Sequence, residues 1–200
     1  MHSVIDRAPE SLRERRIAET SRALRVEARR LTAAHGLSGF TIEELCSEVG
    51  VSRRTFFNYF ASKENAVLGL PLRADTSDLD DAFLASDVGL IEALAELHTA
   101  RWERLDMTRA EAPAITAALD REPGLVRHLL DLTAEAERAD IALIERRQAW
   151  QTGDPRAAVA AHILGALIRP TVAEYISTQG EDFRTLFLRR LEAAHRLFLP

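Results

Sequence analysis

The chain has 200 residues, 46% hydrophobic, 28% charged and 6% aromatic, enough to bury a core in one or two modest domains. Its single cysteine, Cys46, excludes a disulfide framework, and no Cys/His cluster has zinc-ligand spacing, so neither metal nor cofactor is expected and a reducing, cytoplasmic setting is. The net charge of −5 divides into +2 over residues 1–70 and −7 over the remainder, and every one of the 26 cationic side chains except Lys63 is an arginine.

Helical periodicity runs through the chain, with neither strand-like alternation nor an internal repeat. Ser11-Leu12-Arg13-Glu14 fits a capping box, and Ile17, Leu24, Ala28 and Leu31 then share one helical face up to a stop at Gly36. Thr41-Ile42-Glu43-Glu44 is a second capping box, followed by Ile42, Leu45, Cys46 and Val49 at i, i+3, i+4 and i+7 and then by Gly50. Ser52 caps a helix that runs to about Phe60, and Ser62 caps a fourth that Gly69 and Pro71 terminate.

Between Asp75 and Asp87 stand five aspartates and no Lys or Arg, which reads as a mobile or solvent-facing connector. A domain boundary is expected at residues 65–75. Beyond it, Leu90, Ile91, Leu94, Leu97 and Leu105 mark one long amphipathic helix, and Leu125, Leu129, Leu132 and Ala136 mark another that continues toward Trp150. Pro113 and Pro123 suit helix starts. Gly153-Asp154-Pro155 is a stop, a cap and a first-turn proline opening a helix to about Thr178, which Pro170 should kink. The last helix, Asp182 to about Phe198, has Phe183, Leu186, Phe187, Leu191, Ala194 and Leu197 as its apolar face. Met1 to Arg16 hold no signal-peptide stretch, and the most apolar run, Ala157 to Ile168, is short and interrupted by His162, so neither secretion nor a membrane span is expected.

The helices at Thr41 to Val49 and Ser52 to Phe60, joined by a tight turn at Gly50, have the arrangement of a helix-turn-helix. Val51, Phe56 and Phe60 are expected to face inward, leaving Arg53, Arg54, Thr55, Phe57 and Asn58 outward. That outer face suits a major groove, since arginine pairs with guanine O6/N7, asparagine with adenine N6/N7, and apolar groups with thymine methyls.

The run FTIEELCSEVGVSRRTFFNYFASKENAV, with flanking helices over residues 12–70, resembles the DNA-binding domain of the TetR family of one-component transcriptional regulators. Thr41, Gly50-Val51-Ser52, Thr55-Phe56, Tyr59-Phe60 and Ser62-Lys63-Glu64 all fall at the family's spacing. The resemblance implies an all-α protein: a three-helix DNA-binding domain over 1–70, with its helix-turn-helix at about 41–60, and an effector-binding and dimerisation domain over 71–200. It assigns Arg53, Arg54 and Asn58 to bases and Thr41, Ser52, Thr55, Tyr59 and Lys63 to phosphates. Phe57, where the family commonly has a phosphate-bonding tyrosine, would instead meet thymine methyls or a sugar edge. Cys46 and Val49 replace small alanines, and Cys46 is expected to pack as a small buried apolar residue.

Similarity to the family further implies a homodimer through helices at about 155–179 and 182–198, a two-fold symmetric double-stranded operator, and repression relieved by a small molecule. Arg101, Trp102, Trp150, Arg169 and Tyr175 are the candidate lining of an effector site, which Pro170 beside Gly165 would help to shape. His98, His128, His162 and His195 occur singly, without metal-ligating or catalytic spacing, and read as satisfied or surface residues. Rival readings are a regulator or activator that needs no ligand, and a helical interaction module or enzyme. The chain has no nucleophile motif, Gly-rich phosphate loop or paired-carboxylate constellation to support an enzyme.

Overall fold

Contacts in the computed structural model, which describes residues 12–71 and 76–198, divide the chain into two compact units, Met1–Leu72 and Arg73–Pro200. Every helix among the described residues is α or 3-10, as the patterning predicts, and no strand occurs among them.

In the first unit, α1 (Leu12–His35) packs on α2 (Ile42–Val49) and α4 (Lys63–Leu68), while α2 packs on α3 (Arg53–Tyr59). Leu24, Ala28 and Leu31 of α1 are buried, as are Phe40, Leu45, Cys46, Phe56, Phe60 and Val67 of this unit. The expected start signal at Ser11 lies outside the described residues. Ile17, expected on the buried face, is instead 44% exposed, because that face of α1 acquires its covering helices only further along. Two charges go inside with the core: Arg25 and Arg29 are buried, and the Arg29 Nε donates to the Val67 carbonyl at 2.8 Å, tying α1 to the end of α4. Glycines Gly50 and Gly69, at φ 76° and 78°, close α2 and α4 in the left-handed conformation that a Cβ disfavours.

In the second unit, α5 (Ser77–Ala85), α6 (Leu90–Arg104), α8 (Pro123–Gln148), α9 (Pro155–Ser177) and α10 (Phe183–Phe198) enclose a core of Phe83, Leu94, Leu97, Ile144, Leu164, Phe183 and Phe187. The short α7 (Ala112–Arg121) packs on α8, and prolines Pro113, Pro123 and Pro155 all stand in first turns. Asp154 caps α9 by accepting from the Arg156 N–H at 2.9 Å. That helix continues through Pro170. It is long and apolar enough by composition to match a membrane span, yet Ala157, Ala160, Ala161 and Leu164 are buried in this core.

The aspartate-rich segment departs from the sequence expectation. Rather than a connector, residues 77–85 form α5, whose Phe83 is buried and whose acids meet arginines of α6: Asp78 pairs with Arg104 and Asp80 with Arg101, at 2.6 and 2.8 Å. The aspartates had no local partner because their partners lie more than twenty residues away. The apolar faces expected of α8 and α10 are also only partly used. Ala136 is exposed, and Leu197 is 80% exposed although Phe183, Leu186 and Phe187 of the same stripe are buried.

Candidate nucleic-acid interface

The outward face of α3 is aimed by three local devices. At the start of α2 the Thr41 hydroxyl accepts from the Glu44 N–H at 3.1 Å and the Glu44 carboxylate accepts from the Thr41 N–H at 2.7 Å, a complete capping box. That backbone hydrogen bond, helped by the Thr41 side chain, holds the Glu44 carboxyl below the usual carboxylate range. After Gly50, the Val51 N–H returns to the Cys46 carbonyl at 3.0 Å, so the turn is closed at both ends. Ser52 then caps α3 by accepting from the Thr55 N–H at 3.0 Å, and its hydroxyl lies 2.8 Å from that of Thr55.

On that frame Phe56 and Phe60 are fully buried, their ring centroids 6.0 Å apart, and they orient the helix against the rest of the unit. The opposite face carries Arg53, Arg54 and Asn58, all exposed. Phe57 is 37% exposed and meets Phe56 edge-on at 5.3 Å, so it offers an apolar patch at the rim. Thr55 and Tyr59 are half-buried, while Thr41 and Ser52 are exposed at the helix starts. Cys46 is buried, and burial pushes its thiol pKa up, consistent with a packing role.

Two of the cationic side chains expected to contact DNA also have partners within the chain. Arg53 donates through Nη1 to Glu43 of α2 at 2.6 Å. The Lys63 ammonium donates to the carbonyls of Leu37 and Phe40, at 2.7 and 2.6 Å, and lies 4.7 Å from the Phe40 ring centre. No periodicity or spacing announces a lysine bound to carbonyls over twenty residues away. A cleft of about 410 Å³, lined by Leu12, Arg13, Arg16, Ile17, Thr20 and Tyr59, adds two arginines beside the end of α3 that the motif did not single out. The signal for them was available: Arg13 and Arg16 stand three apart on one helical face.

The family model described as bacterial regulatory proteins of the tetR family matches residues 24–68, spanning all of α2 and α3. Over 190 residues, 88% of this chain and 81% of the relative, the sequence is 30% identical to the HTH-type transcriptional regulator TcmR of Streptomyces glaucescens. The chain belongs to the TetR family. It is also 36% identical over 124 residues, 60% of each protein, to the HTH-type transcriptional repressor AcnR of Corynebacterium diphtheriae. A solved structure described as a TetR-family transcriptional regulator from Mesorhizobium loti MAFF303099 aligns with a TM-score of 0.48 at 21% identity, covering 92% of this chain and 96% of that one. The protein is thus a DNA-binding transcriptional regulator, in a family of regulators rather than enzymes.

The five candidate effector residues of this TetR-family chain are not brought to one place. Trp102 stacks on Phe183 at 4.4 Å and meets Tyr175 edge-on at 5.4 Å, so those two do converge. Arg101 points elsewhere, to Asp140 and Asp80. Trp150 is covered by the Arg156 guanidinium at 4.0 Å, and Arg169 is exposed. A cavity of about 120 Å³ opens between α5 and α6, lined by Leu79, Phe83, Ala93, Leu97 and Ala100 among others, and includes none of the five. Among the described residues no group of three or more His, Cys, Asp or Glu could hold a metal ion.

Proposed function

We propose that the protein is a repressor that binds a palindromic operator as a homodimer and is released from it by a small molecule. The observation that carries the DNA-reading part is the exposed row of Arg53, Arg54 and Asn58 on a helix pinned by the Ser52 cap and the buried Phe56 and Phe60. Arg53 and Arg54 supply the planar donor pairs that guanine O6/N7 accept, Asn58 the acceptor and donor that complement adenine N6–H and N7, and Phe57 an apolar edge for a thymine methyl. Thr41, Ser52, Thr55, Tyr59 and Lys63 set the register on phosphates, with Arg13 and Arg16 extending the cationic edge. In this reading residues 1–70 bind DNA and 71–200 bind the effector and the second copy. Repression follows the name of the relative AcnR, and a regulator that reads chromosomal DNA acts in the cytoplasm.

Dimerisation through α9 and α10 is supported by apolar side chains left exposed there, Val159 on α9 and Leu188 and Leu197 on α10. The two helices are already clamped to each other by Glu174, which pairs with Arg189 and Arg190, so they offer one continuous face. Two-fold symmetry of that face repeats α3 on the operator and makes the half-sites inverted copies.

The effector is the apolar kind that the Trp102–Tyr175–Phe183 layer and the gap between α5 and α6 would take. Ligand sites run to about 300–1,000 Å³, so an occupant must part α5 from α6. Such a ligand releases DNA only by binding the parted, DNA-incompetent form more tightly than the closed one. The small volume of that cavity, about 120 Å³, favours a second reading in which regulation needs no ligand.

The test is fluorescence anisotropy of the full chain on duplexes from its own upstream region and on shuffled duplexes across a salt series, followed by hydrophobic compounds added to the complex. Tight selective binding by two protomers, reversed by a compound, is expected. Equal, steeply salt-dependent binding to every duplex overturns sequence-specific operator recognition, and selective binding that no compound reverses establishes the ligand-independent reading.

A further inference from the structure

Glu43 occupies an unusual position for an acid on a DNA-reading surface. It stands in the first turn of α2, but the capping box at that end is completed by its neighbour Glu44, so the Glu43 carboxylate is not used by the cap. It accepts instead from Arg53 Nη1 at 2.6 Å, ten residues away across the turn. Arg53 is held from a second side by Phe57, whose ring centre lies 5.5 Å from the guanidinium carbon. The next residue along α3, Arg54, is exposed and has no such restraint among the described residues.

The bond to Glu43 occupies one corner of the guanidinium. Nε and Nη2 of Arg53 have no partner among the described residues, and together they form the edge that can address two acceptors at once. A guanine edge presents two acceptors, O6 and N7, and can be taken by that free edge with Glu43 still in place. A phosphate also offers two acceptors, but it lies on the backbone at the side of the groove rather than in front of a helix seated in it. Swinging Arg53 away to the backbone exchanges one carboxylate for a chemically similar anion, and strands the Glu43 charge in the field of the duplex.

We propose that Glu43 is a specificity-determining residue: it holds Arg53 in the pose that reads a base and withholds it from phosphates. The proposal rests on Arg53 being a base-reading residue, as proposed above. Glu43 therefore lowers affinity for DNA in general while sparing the operator, and its removal should erode selectivity more than binding.

The experiment compares the full-length wild type with Glu43→Gln, Glu43→Ala, Arg53→Ala and the double variant Glu43→Gln/Arg53→Ala. Each is titrated by anisotropy onto a random-sequence duplex and onto a duplex selected by the wild type from a random pool, over a sodium chloride series. An exposed ion pair shifts an equilibrium by at most about fivefold. Glu43→Gln is thus expected to tighten random-duplex binding about threefold, with the salt slope steeper by about 0.9 as Arg53 becomes a phosphate contact. The preference for the selected duplex should fall by at least that factor. In the Arg53→Ala background the same change should do nothing. Unchanged selectivity in both Glu43 variants, with thermal midpoints matching the wild type, overturns the proposal. So does an equal tightening with and without Arg53, which would make Glu43 a general surface charge. A wild type that binds no duplex even at low salt removes the DNA reading itself, a result distinct from either.

Discussion

The two units handle charge in opposite ways. On the first unit's reading helix the arginines stand outside, on elements whose ends are fixed by residues three positions apart: Thr41 with Glu44, Ser52 with Thr55, Ser62 with Asn65. The second unit takes acids inside. Glu111, Asp140 and Glu145 are all buried, and each is answered, by the Thr108 N–H, by Arg101, and by the Gly153 N–H respectively. A buried carboxylate is tolerated only with such partners, because its desolvation otherwise outweighs what folding gains. The reading helix of one unit thus presents donors to an outside anion, while the other unit answers each of these buried acids.

The largest effect is expected where that second arrangement is broken. Arg101→Ala strands Asp140, which is buried, and should destabilise the second unit by about 3–5 kcal/mol in chemical denaturation. Burial opposes the Arg101 charge, but Asp140 and Asp80 outweigh it and raise the guanidinium pKa, so Arg101 stays charged. On the reading helix the contrast predicts function without stability: replacing both Arg53 and Arg54 by Ala should remove about 1–3 kcal/mol of base discrimination for each bidentate pairing with a guanine. The unfolding midpoint should stay where it was, and a large drop would mean that these arginines hold the fold.

Lys63 lies between the two behaviours. Lys63→Met leaves the Leu37 and Phe40 carbonyls without their ammonium and should cost about 1–3 kcal/mol in the first unit. As a phosphate contact it would also lower the salt slope of DNA binding by about one, and an unaltered slope takes it off the interface. Ala149 closes α8 with φ at 50°, left-handed without being glycine, so Ala149→Gly should stabilise by about 0.5–1 kcal/mol on thermal melting.

The smallest effect concerns pH. Burial pushes the His98 pKa below its ordinary 6.5; Asp140, 3.5 Å away, opposes that shift and Arg101 adds to it. The neutral imidazole is the folded form, so its contribution is intact above pH 6.5 and is lost as pH falls toward the folded value. His98→Asn should flatten the stability profile of the second unit below pH 6.5, leaving the higher range alone.

The legibility of the fold follows the same division. Caps and glycine stops are written within four residues of where they act, so the starts of α2, α3 and α4 are readable from Thr41, Ser52 and Ser62 and their ends closely, and Phe56 and Phe60 follow from helical phase. The pairing of Asp80 with Arg101, of Arg101 with Asp140, and of Lys63 with Phe40 joins positions 21, 39 and 23 apart, and no periodicity announces it. For that reason α5 reads as a charged connector although Leu79 and Phe83, four apart, carry a faint helical signal. Arg101 and Trp102 look alike as pocket candidates in sequence, yet adjacent positions on a helix point about 100° apart, one to the acids and the other to Phe183.

Arg109 bears on how the second unit comes apart. Its guanidinium lies 4.2 Å from the Tyr175 ring centre, donates from Nε to the Tyr175 carbonyl at 2.7 Å, and reaches the Glu181 carbonyl as well. The chain between Arg109 and Tyr175 spans 66 positions, so this strap cannot form until α8 and α9 have closed the intervening loop. The folding and unfolding rates of Arg109→Ala report on which side of the transition state it is made. An interaction made after the transition state leaves the folding rate nearly untouched and acts on the rate of escape from the native state. If Arg109 acts as such a brake on the α9–α10 hairpin, Arg109→Ala speeds unfolding and leaves refolding unchanged in stopped-flow kinetics.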